Sequence, residues 1–120
     1  LGMKPDWWKL EPTEDRAAWT NVETTIRAND PHCRGVLLLG LSAPQEALIA
    51  SFEAAAETPI IKGFAVGRTI FAEAAEQWLT GRMDDEAAIA DLSGRFAVLV
   101  DAWRAARQRV VPPAALQEAV

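Results

Sequence analysis

The run "GVLLLGL", Gly35 to Leu41, has no polar residue in it. A strand at the surface of a sheet alternates apolar and polar side chains, so an unbroken apolar run predicts a strand covered on both faces, as in a parallel sheet. Parallel strands need crossover connections, usually helices. The flanking sequence supplies them: Ala18, Trp19, Val22 and Ile26 before the run, and Leu48, Phe52 and Ala55 after it, fall at three- and four-residue spacings.

The remaining elements follow from the same reading. Trp7 to Leu10 predicts a short strand bounded by Pro5 and Pro12. Thr13 or Asp15 can cap a helix running to about Ala28, and "NDPHCRG" predicts a loop. After the apolar strand, Ser42 and Gln45 stand at capping-box spacing before a helix from about Pro44 to Ala56. Pro59 opens a third strand, Ile60 to Val66, and a helix from Thr69 to Thr80 ends at Gly81. Asp84 and Asp85 begin the longest helix, to about Arg109, with Ile89, Leu92, Phe96, Leu99, Val100 and Trp103 along one side. The order is β-α-β-α-β-α-α, an α/β fold with right-handed crossovers. Residues 1–110 form the domain and 111–120, broken by two prolines, a tail.

Three parallel strands leave two unpaired edges. The chain opens at Leu1 and runs almost at once into strand-like residues, which suggests a start inside a fold. Either strands outside this sequence extend the sheet, or a second copy of the chain does. Net charge is −5 with both signs interspersed, which argues against a general nucleic-acid binder. No apolar run has the length of a membrane span, and a cytoplasmic location is expected. Cys33 is the only cysteine and His32 the only histidine, a poor basis for a metal or thiol site, and a surface role is expected for both. Trp19, Trp78 and Trp103, at helical spacing, are expected in the core.

Polar residues inside the strands carry the chemistry. Trp7, Lys9 and Glu11 share one side of the first strand, Trp8 and Leu10 the other. If helices cover the Trp8 side, Lys9 and Glu11 face away from them near the carboxyl end, where α/β folds place their sites, and one of the two tryptophans can wall a pocket there. A desolvated lysine favours the neutral amine needed for attack on a carbonyl, with Glu11 to offset charge or shuttle protons. The other reading of the same residues is a structural Lys9–Glu11 ion pair at the strand mouth. Lys62, at the amino end of its strand, reads as a packing or snorkelling residue. "VGRT", Val66 to Thr69, ends a strand and begins a helix. Gly67 permits a tight turn, the helix start offers unpaired N–H groups, and Arg68 adds a fork suited to phosphate. With Gly40 and Ser42 at the neighbouring strand end, this corner can seat a phosphate; an ordinary strand-to-helix turn is the other reading.

"KPDWWKLEP", "CRGVLLLGL" and "IIKGFAVGRTIF" together resemble the aldolase-like domain fused to the carboxyl side of the sugar kinase of bacterial inositol catabolism. That family is similar to class I (Schiff-base) aldolases, including the tagatose-bisphosphate aldolases. The resemblance runs from Met3 to about Arg107 and implies the last three units of an eight-stranded β/α barrel. It implies that Lys9 is the Schiff-base lysine of a "D-x-x-K-x-E" strand and Glu11 its acid. Gly67, Arg68 and Thr69, with Gly40 and Ser42, would form the phosphate-binding turns. The implied reaction cleaves 5-dehydro-2-deoxygluconate 6-phosphate to dihydroxyacetone phosphate and malonate semialdehyde, beside a 5-dehydro-2-deoxygluconokinase. No metal and no cofactor is implied, because the iminium supplies the polarisation. The first five strands and the kinase lie outside this sequence. The alternatives are a phosphosugar-binding or regulatory module without catalysis, and a strand-pairing dimer.

Overall fold

Whether a strand residue reaches the core depends on which face its side chain takes, and among the described residues the helices that bury the sheet lie on one face of it. The computed structural model describes residues 2–110; Leu1 and the expected tail, 111–120, lie outside the described residues. The elements are β1 (Trp7–Leu10), α1 (Arg16–Asn29), β2 (Gly35–Leu39), α2 (Gln45–Ala55), β3 (Ile61–Ala65), α3 (Arg68–Leu79) and α4 (Asp85–Val110). The strands pair in the order β1-β2-β3, all parallel. The expected α/β order is therefore found, with strand and helix ends moved by a residue or two.

Register sets the core. Trp8 and Leu10 lie beside Val36 and Leu38, which lie beside Ile61 and Phe64. Val36, Leu38 and Ile61 are fully buried, and Trp8, Leu10 and Phe64 pack against the same cluster. Trp19 of α1, Leu48 and Phe52 of α2, and Leu99 and Trp103 of α4 cover them. Phe52 stacks on Phe64 with centroids 5.1 Å apart and meets Trp103 edge-on at 5.5 Å. Each large side chain buried this way contributes about 1.5–3 kcal/mol relative to exposure.

The opposite face is different. Leu37 and Leu39 are only half-buried, and Trp7 and Lys9 are exposed. Among the described residues the cover expected on both sides of β2 is thus met on one side only, because α1, α2 and the second half of α4 send their buried apolar residues to the same cluster. Gly63 lies on the open side beside Leu37, and a Cβ added there would meet no atom within 4 Å. Lys62 is exposed and is the extra β3 residue where the register shifts between Val36 and Leu37. A Cβ added to Gly35 would sit 2.6 Å from the Lys62 side chain and 2.9 Å from the Trp7 ring, so only glycine lets these strands pair closely.

Some local expectations are met and others corrected. Asp15 caps α1, its Oδ1 accepting from the Ala17 N–H at 2.9 Å, while the Thr13 hydroxyl accepts from the Asp15 N–H. The Ser42–Gln45 capping box does not form: Pro44 is the N-cap of α2 and no side chain caps it. Leu41 and Ser42 instead take left-handed backbone angles, φ 50° and 62°, which turn the chain before the helix. Trp19 and Trp103 are buried as expected, but Trp78 is 48% exposed, its indole N–H donating to Asp85 Oδ1 at 2.7 Å. It lies where α3 meets the first turns of α4, outside the cluster under the sheet. The apolar stripe of α4 divides likewise: Leu99 and Trp103 are buried, while Ile89 is 63% and Phe96 51% exposed.

α4 is fastened at its far end by Arg107. Its guanidinium donates to the carbonyls of Ala56, at 2.6 Å, and of Ile61, and it stands 5.4 Å from the Trp103 ring. Burial pushes the Arg107 pKa below its ordinary value, with the Glu23 carboxylate opposing that shift.

Candidate functional site: the carboxyl rim of the sheet

Parallel strands bring all their carboxyl ends to one rim, so the turns after β2 and β3 become neighbours although about 25 residues separate them in the chain. Gly40 makes the contact close. A Cβ at Gly40 would lie 2.8 Å from Val66 Cγ1 and 3.0 Å from Thr69 Oγ1, so the β2 turn and the start of α3 are in direct contact. The Thr69 hydroxyl then donates to the Ala43 carbonyl at 3.1 Å and joins the two turns.

Above this junction lies an open cleft of about 380 Å³ lined by Ser42, Gln45, Glu46, Arg68, Thr69, Glu73 and Arg95, among others. Both helices that open onto it, α2 at Pro44 and α3 at Gly67, lack a side-chain cap. Their first N–H groups therefore face the rim without a side-chain acceptor, a setting that favours an anion. Gly67 is itself tightly placed, since an added Cβ would meet the Phe71 ring at 2.9 Å. Of the residues expected at this corner, Ser42, Arg68 and Thr69 line the cleft, Gly40 lies beneath it and Gly67 begins its helix. Arg68 is exposed and has no ion-pair partner among the described residues.

Lys9 and Glu11 stand on the same rim but apart from the cleft. Lys9 lies beside Leu37 on the face without helices, near the carboxyl end of β1. Both residues are exposed, so the expected dry pocket around the amine is not formed by the described residues. The reason is the open face: nothing described covers the sheet where the lysine emerges. No ion pair joins Lys9 to Glu11 among the described residues.

Four polar cleft residues were not read as site residues from the sequence: Gln45, Glu46, Glu73 and Arg95. Arg95 reaches the rim from α4. Its Nε donates to Asp91 Oδ2 at 2.8 Å and its Nη2 to Glu73 Oε2 at 2.7 Å. The hydrogen bond to Asp91 above all, with the charge of Asp91 and the carboxylate of Glu73, holds the Arg95 pKa above its ordinary value against the effect of burial. In sequence Arg95 shows only an i,i+4 pairing with Asp91, the mark of an ordinary helix surface. Only the packing of α3 along α4 carries it to the cleft.

Away from the carboxyl rim the chemistry is sparse. The Cys33 thiol is half-buried against the carbonyls of Asp6 and Gly35, and His32 is exposed. Among the described residues no three His, Cys, Asp or Glu side chains gather as a metal would require. No helix among them is long and apolar enough to cross a membrane.

A family model described as an uncharacterized protein conserved in bacteria (DUF2090) matches residues 1–107. No curated protein and no solved structure matches the chain.

Proposed function

We propose that this chain, which belongs to the bacterial DUF2090 family, is the phosphate-binding part of a class I aldolase-like β/α-barrel domain that acts on a phosphorylated sugar acid. In this reading β1 to β3 are barrel strands and the open sheet face looks into the barrel. One observation carries it: the turns after β2 and β3 interlock at Gly40 and open, with Ser42, Arg68 and Thr69, on the rim near which Lys9 emerges. The two sheet edges left unpaired among the described residues, and the half-buried Leu37 and Leu39, support a larger sheet, supplied by further strands or by a second copy.

The chemistry would run as follows on 5-dehydro-2-deoxygluconate 6-phosphate. The Lys9 amine attacks the C5 ketone and water leaves, giving an iminium. Loss of a proton from the C3 hydroxyl to Glu11, or to a base on a covering strand, breaks the bond between C3 and C4 and releases malonate semialdehyde. The iminium takes up the electron pair as an enamine; protonation and hydrolysis then free dihydroxyacetone phosphate. The phosphate would sit on the α2 and α3 starts with Arg68. A 5-dehydro-2-deoxygluconokinase acting beside it would supply the phosphorylated substrate. Borohydride added with dihydroxyacetone phosphate should leave a stable adduct on Lys9. An adduct that persists in Lys9→Ala would overturn the assignment.

A second reading is favoured by the exposure of Lys9. The cleft would then bind a phosphosugar without cleaving it. Phosphate esters would raise the melting temperature in a way that depends on Arg68 and not on Lys9, and borohydride would trap nothing.

A further inference from the structure

The cleft that this reading assigns to phosphate has balanced charge as it stands. Its ionised lining is Arg68 and Arg95 against Glu46 and Glu73. A phosphate group needs free donors on a cation, and Asp91 and Glu73 both hold Arg95, so the more exposed of the two carboxylates is the one that can yield. We propose that Arg95 is a second anion-binding residue of this cleft, and that Glu73 is its displaceable partner, occupying the guanidinium until a phosphate group takes its place.

The inference rests on the phosphate reading and on how the two carboxylates hold Arg95. Asp91 is four residues before it on α4, is 28% exposed in its side chain and holds Nε at 2.8 Å. It fixes the direction of the guanidinium. Glu73 comes from α3, binds Nη2 at 2.7 Å, and its side chain is 61% exposed. An exposed carboxylate loses little on turning to solvent, because surface ion pairs add little to stability. The remaining N–H groups of the fork, and Nη2 once freed, can then bond two phosphate oxygens. Among the described residues Arg68 has no ion pair to give up, so there the cleft joins an unpaired cation to one held in reserve. Held this way, Arg95 is occupied by carboxylates in the empty cleft and offers the Nη2 donors when a phosphate displaces Glu73.

A purely structural Arg95, tying α3 to α4, makes the opposite forecast for one variant. The full chain is titrated with inorganic phosphate and with glycerol 3-phosphate by two-dimensional amide NMR, and its melting temperature is measured without ligand. Glu73→Gln should melt slightly lower yet bind phosphate roughly threefold tighter, since a competing charge is gone. Arg95→Gln should bind roughly tenfold more weakly. If both variants melt lower and bind as the unaltered chain does, while Arg68→Gln still weakens binding, Arg95 is only a helix tie and the inference fails with the phosphate reading intact. If the unaltered chain shows no phosphate-dependent shift at Ser42, Arg68 or Thr69, the phosphate reading fails and takes this inference with it.

Discussion

The two faces of the sheet come from the same strands and behave as different materials. Toward the helices, Val36, Leu38 and Ile61 are sealed under Trp19, Phe52 and Leu99. Away from them, Trp7, Lys9, Leu37 and Leu39 face a side that no described helix covers, and Gly63 has open space above it. Strand residues that alternate by one position thus divide into a stability face and an available face. The consequence is a separation of effects: substitutions on the first should unfold the chain, and those on the second should change chemistry or assembly and leave the fold standing.

Phe52→Ala should show the largest effect. Phe52 is fully buried and joins Phe64 to Trp103, so its loss leaves a cavity under the middle of the sheet. A destabilisation of about 3–5 kcal/mol is expected by urea denaturation. Leu37→Ala, half-buried on the open face, should cost well under half of that. Equal losses at the two positions would mean that the open face is covered in solution.

Arg107→Ala comes next, at about 2 kcal/mol by the same measurement. It removes the donors for the Ala56 and Ile61 carbonyls, which anchor the end of α4 to the approach to β3. Arg107→Lys should recover only part, because an ammonium cannot reach both carbonyls with a fixed fork. A full recovery would reduce the anchor to simple charge.

Most of this architecture was legible in the sequence, and what was not has a common cause. The order of strands and helices followed from apolar periodicity, and Gly40, Ser42, Gly67, Arg68 and Thr69 were legible as neighbours because parallel strand ends share a rim. Yet "GVLLLGL" cannot say whether the cover on its second face belongs to this chain, and the described residues supply none there. The spacing of Ser42 and Gln45 suited a capping box, but left-handed angles at Leu41 and Ser42 and Pro44 at the N-cap give the turn another form. Arg95 and Arg107 act on groups 22 and 51 residues away, and no local pattern marks either contact.

Gly40→Ala should have a middling effect on stability and a larger one on the site. The new methyl would stand 2.8 Å from Val66 Cγ1 and 3.0 Å from Thr69 Oγ1, so the β2 turn and α3 must separate. About 1–3 kcal/mol is expected, the usual cost of overpacking. The Thr69 hydrogen bond to Ala43 should lengthen with it, and phosphate-dependent shifts at Arg68 and Thr69 should shrink. Unchanged shifts would show that the two turns act independently.

Lys9→Ala should have the smallest effect on the fold, within about 0.5 kcal/mol, because an exposed side chain on the open face has little packing to lose. Its weight falls on the chemistry: the borohydride adduct should vanish while phosphate binding at Arg68 persists. The same variant also tests whether the available face is available. If strands from a further segment or a second copy close over it in solution, the lysine stem gains neighbours, and its removal should cost stability in the assembled protein and not in the chain alone. A cost above 1 kcal/mol in the assembly, with none in the isolated chain, would identify the open side as an interior completed by a partner. Equal, near-zero costs in both would leave Lys9 at a surface and favour the phosphosugar-binding reading without cleavage.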